Sequence, residues 1–273
     1  MVFALPSIQM KRIPVLLTFF LVLAFTTKTR LPDFVKESKA NVVVTDNFAN
    51  VYFVENDKFT KYDSKLTFVK EFSNKNFGAI TSADVTNPLR ILLYYKEFGR
   101  IVFLDNTLSQ NGEPLALEKL GYPLAILAAS SYDNGLWIYD QPTFELIRFN
   151  NNLEVSNRTG NLSQILGIQL QPNFLLEKDN RVFVNNPLTG ILVFDVFGTY
   201  VKTVPVINLK TFQVMDDEIV YFSEGTLHAW NLKTSEITVY EEPVSDSAVN
   251  MRIERDAIVV HDTASVSVYL RNK

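Results

Sequence analysis

From position 41 onward the hydrophobic and polar positions follow no long helical period. Short runs rich in Val, Ile, Phe and Tyr alternate with clusters of Asn, Asp, Gly and Pro, the pattern of many strands joined by tight turns. One unit recurs: a short first strand, a polar turn, a second strand rich in β-branched and aromatic residues, a short loop and a third strand. The second strands begin at Asn50, Arg90, Gly135, Arg181, Glu218 and Ala257, roughly 37 to 46 positions apart. A separate landmark keeps the same step. An aromatic near the end of each third strand is followed within two positions by Asp or Asn, as in Tyr62-Asp63, Phe103-Leu104-Asp105, Phe149-Asn150, Phe194-Asp195 and Trp230-Asn231. The sixth copy, Tyr269-Leu270-Arg271, lacks the polar residue.

A repeat of about 40 to 50 residues with several strands per unit is the signature of propeller blades. One small twisted sheet cannot bury both faces, whereas sheets fanned around an axis bury each face against a neighbour. The sequence therefore predicts an all-β, six-bladed β-propeller over 41–273, with about four strands per blade and the repeated aromatics filling gaps between blades. Outermost strands are expected at 66–72, 115–119, 162–166, 201–207 and 236–240. The sixth unit has none, so residues 33–38, within an N-terminal segment 27–40, are expected to close the last blade and cover its edge. These features resemble the six-bladed propellers of the NHL and YWTD type, in which a third-strand aromatic leads into an Asp- or Asn-containing turn. The resemblance covers the architecture of 41–273 and implies no activity; the YWTD tetrapeptide is absent.

The N-terminus adds a second expectation. Lys11 and Arg12 precede an apolar run over 13–25, followed by the polar Thr26, Thr27 and Lys28. That order reads as a signal peptide over 1–26, and the run is shorter than the ~20 apolar residues that span a bilayer. Met10 is an alternative initiator, which would leave residues 1–9 untranslated. The expected destination is export, to the periplasm or an outer-membrane-associated position if the source is Gram-negative, with no membrane span in the mature chain. A net charge of -4 and no concentrated Lys/Arg stretch argue against nucleic acid as a partner. The absence of cysteine leaves stability to packing and rules out a thiol nucleophile.

Chemistry is sparse along the chain. There is no Gly-x-Ser-x-Gly elbow, and His228 and His261 fall inside expected strands, where packing is the simpler role. Asp46, Asp84, Asp133, Glu177, Asp216 and Glu254 lie on or just after the first strands and supply oxygens of the kind that hold calcium on the axis of lactonase propellers. Each also reads as a turn residue that satisfies local backbone donors. We assign no catalytic residue, metal ligand or cofactor from the sequence. Four loop aromatics, Phe77, Tyr95, Phe98 and Tyr122, are the candidates for a protein-binding patch, with gap filling between blades as their alternative role. The leading expectation is a non-enzymatic interaction or scaffold module of the bacterial cell envelope with a protein partner in a larger assembly. The rival is a metal-dependent, lactonase-like hydrolase or lyase. A carbohydrate- or peptide-binding, lectin-like propeller ranks below both, because Trp137 and Trp230 sit inside strands instead of in loops.

Overall fold

The computed structural model describes residues 30–240 and 247–271, and the expected signal peptide lies outside them. The described chain forms six antiparallel sheets of four strands each. The first strands of the six blades are Val42–Thr45, Ser82–Asp84, Ala125–Ser130, Phe174–Lys178, Gln213–Met215 and Ala248–Ile253. All six contribute to the wall of one central channel, so they are the innermost strands of a six-bladed β-propeller. The last blade is completed by Phe34–Glu37, which pairs antiparallel with Ser265–Leu270 in the register Phe34 to Val268. The ring is thus closed by strand addition from the N-terminal side, as the missing sixth outer strand required.

The core is not one mass but six wedges, each shared by two neighbouring blades. Alternation along a strand sends successive side chains to opposite faces, so each blade feeds two wedges. Of the repeated third-strand aromatics, Tyr62, Phe149, Phe194, Trp230 and Tyr269 pack toward the preceding blade. Phe103 does not: it packs toward the following blade, and Leu104 enters the wedge shared with the first. The cause is the extra residue between Phe103 and Asp105, because a shift of one position along a strand reverses the face.

The polar residue after each aromatic also has a clear task. Asp63 Oδ1 accepts from the amides of Lys65 and Thr67. The same pair of bonds recurs at Asp105, Asn150 and Asp195. The bent turn puts the third residue after the cap at positive φ, namely Leu66 at 59°, Leu108 at 56°, Leu153 at 62° and Gly198 at 85°. Leucine disfavours that conformation. Leu66 and Leu108 are nonetheless buried, and their apolar contacts offset the strain.

Two expected outer strands are corrected. In the third blade, 162–166 is the short α-helix Leu162–Leu166, and the outer strand is the polar segment Val155–Arg158. Leu162, Ile165 and Leu166 follow a helical spacing. Asn161 caps the helix by accepting from the Gln164 amide, and Gly167 ends it at φ 65°. In the second blade the outer strand is only Leu115–Ala116, after which Leu117–Leu120 turns into a 3-10 helix that buries Leu117.

Candidate functional site

The inner strands all start on one face of the disc and end on the other, so their turns into the second strands share a face around the channel mouth. The channel has a volume of about 310 Å³. Four of the six sequence-nominated carboxylates, Asp46, Asp84, Asp216 and Glu254, line it. Among the described residues, no group of three or more His, Asp or Glu side chains is placed to hold a metal ion.

The nominated carboxylates instead tie turns and blades together. Asp46 accepts from the Phe48 and Asn50 amides and, at 2.8 Å, from the Tyr52 hydroxyl. Asp84 caps its own turn at Thr86 and reaches into the next blade to accept from the Ser130 amide at 2.8 Å. Glu177, buried in the fourth blade, reaches back to the third: it accepts from Ser131 Oγ at 2.7 Å, the Tyr132 amide at 2.8 Å and Trp137 Nε1 at 2.6 Å. The turn between Ser131 and Gly135 is therefore held from both sides. Asp133 accepts from the Gly135 amide and pairs at 2.7 Å with buried Arg148.

A second polar chain crosses the closing seam. Gln213 of the fifth blade bonds both the amide and the carbonyl of Ile253 and donates to Glu254. Thr45 of the first blade donates to Glu254 and accepts from Arg252 Nε at 3.0 Å. Burial lowers the Arg252 guanidinium to about 10, with Glu254 opposing that fall, and burial pushes the Glu254 carboxyl above its usual value. Such charges are retained in a low-dielectric interior because they are hydrogen-bonded.

The four nominated aromatics do not form one exposed patch. Tyr95 is fully buried and stacks edge-on against half-buried Phe77 at 5.6 Å between the first two blades. Tyr122 is buried against Phe149, 5.6 Å away, one wedge further on. Phe98 alone is exposed. Trp137 is fully buried, and Trp230 packs half-buried between the fourth and fifth blades. His228 stacks on Tyr221 at 5.2 Å, and His261 is buried.

The exposed apolar groups that sequence reasoning missed stand on the other face. Phe48, Leu89 and Tyr132 occupy the turns after the first strands of three consecutive blades and are 67%, 65% and 63% exposed. Each turn is pinned: the Phe48 amide by Asp46, the Leu89 amide by Asn87, the Tyr132 amide by Glu177. Their signal in the sequence was an apolar residue inside the polar turn between the first and second strands of successive repeats. Beside Tyr132 lies a polar hollow of about 320 Å³ between the second, third and fourth blades.

No protein-family model matches the chain, and no curated protein matches it in sequence. Solved structures match in fold. A chain of the mitotic checkpoint complex is 9% identical over 92% of this chain and 99% of its own, with a TM-score of 0.64. A streptogramin B lyase is 12% identical, with 88% of each chain covered and a TM-score of 0.53. BBS1N, solved in complex with ARL6DN, is 12% identical over 86% of this chain and 79% of its own, with a TM-score of 0.54. At such identities the likeness establishes the propeller fold alone.

Proposed function

We propose that this chain is an exported, non-enzymatic recognition module of the bacterial cell envelope that holds a protein partner against the face carrying Phe48, Leu89 and Tyr132. The observation that carries the reading is the recurrence of a large, exposed apolar side chain at corresponding, hydrogen-bonded turns of three neighbouring blades. Exposed apolar groups on pre-ordered turns lose little conformational freedom on docking, so more of their burial appears as affinity. Two solved propellers of the same fold, those of the mitotic checkpoint complex and of BBS1N with ARL6DN, come from protein assemblies. The order of charged, apolar and polar residues over 1–28 supports export.

The test is affinity isolation of the tagged chain from its own envelope fraction, beside the double variant Phe48→Glu, Leu89→Glu. The expected result is a partner recovered with the wild-type chain and lost by the variant at unchanged melting temperature. A wild-type chain recovered alone with a monomeric native mass, or equal recovery by the variant, overturns the reading. Cell fractionation with N-terminal sequencing of the mature chain checks the export step.

A further inference from the structure

Beyond a protein partner, the geometry points to a second ligand: we propose that the hollow beside Tyr132 binds a sugar ring of a neutral glycan. The hollow, about 320 Å³, sits at the small end of the ~300–1,000 Å³ range of small-molecule sites. Its wall is polar and electrically balanced, for the ionic lining groups are Arg90 and Lys178 against Glu177 and Asp179. Balance of this kind gives no net attraction to a phosphate or a polyamine. Three amides, Asn87, Asn134 and Asn180, also line it. Asn87 is already engaged, its oxygen accepting from the Leu89 amide, but the exposed carboxamides of Asn134 and Asn180 each carry a donor and an acceptor side by side, which matches the paired hydroxyls of a pyranose.

A further observation points to a ligand. At the rim, Tyr132 is 63% exposed and held as a flat platform. The Arg148 guanidinium lies 4.6 Å from its ring centroid, itself fixed by Ser131, Ser156 and Asp133. A ring backed by a cation on one side and open on the other offers an apolar surface to the C–H face of a sugar. Asp84 from one neighbouring blade and Glu177 from the other hold the amides of Ser130 and Tyr132, so the platform exists before the ligand arrives.

The experiment is an array of neutral and anionic oligosaccharides probed with the whole exported chain. The best neutral hit is then measured by calorimetry with wild type, Tyr132→Ala and the double variant Phe48→Glu, Leu89→Glu. Expected are binding to a neutral glycan, a loss of at least about tenfold in Tyr132→Ala, and full retention in the Phe48/Leu89 variant. The proposal falls if no neutral glycan binds, if only anionic glycans bind, or if Tyr132→Ala binds as tightly as wild type. It falls equally if Tyr132→Ala loses only protein capture and no saccharide binding exists to lose, an outcome that leaves the protein-partner reading intact.

Discussion

Replacing Glu177 by Ala removes the acceptor for three donors of the neighbouring blade. The Ser131 hydroxyl already accepts from Arg148 and can rotate, so its loss is small. Trp137 Nε1 and the Tyr132 amide have no comparable freedom, and a buried donor left unpaired costs about 1–3 kcal/mol. Relief from burying a carboxylate offsets part of this, leaving a destabilisation of about 3–4 kcal/mol. For a chain of this size that lowers the melting temperature by about 6–15 °C. Glu177→Gln keeps one acceptor oxygen but turns an NH2 toward an N–H donor, so about 1–3 kcal/mol is expected and the order is wild type, Gln, Ala. Urea titration followed by tryptophan emission measures all three, with matched m-values confirming a change in stability alone. A Glu177→Ala chain within about 1 kcal/mol of wild type would refute the view that this carboxylate joins two blades.

Two other outcomes follow from the packing. Burial holds the His261 imidazole below its usual 6.5, against the opposing pull of the Ala40 backbone and Asp262. The unfolded chain therefore binds the proton more readily than the folded one, and stability present above pH ~6.5 declines as the pH falls below it; His261→Gln should flatten that slope in melts from pH 7.5 down to about 5. Gly190 has φ 114°, and a Cβ there would lie 2.2 Å from the Val204 carbonyl oxygen. Gly190→Ala should cost at least about 2 kcal/mol, whereas Gly112→Ala, with open space around it, should lose only about 1 kcal/mol; equal melts for the two would contradict the clash.

The repeat, the third-strand aromatics and the unpaired last blade were legible because each follows from residues within one unit of the chain. The outer strand Val155–Arg158 was not, since an exposed edge imposes little hydrophobic alternation and its polar sequence reads as loop. The nearby Leu162, Ile165 and Leu166 drew the assignment away. Contacts between blades were equally hidden: Asp84 and Ser130, or Ser131 and Glu177, are 46 positions apart and meet only when the disc has formed. The same holds for Phe77, Tyr95 and Tyr122. Nothing local distinguishes a loop aromatic that plugs a wedge from one that faces water, and here three of the four nominated side chains fill wedges while Phe98 is exposed.

The pairing of Phe34 with Val268 joins the earliest described strand to the latest. During synthesis the earlier partner must wait while every intervening blade is made, and contacts between such distant positions form slowly. Until that last zipper shuts, the terminal sheet shows a bare rim to any other unfinished copy nearby. The arrival of Ser265–Leu270, more than the birth of any earlier blade, thus sets the moment at which this rim is covered.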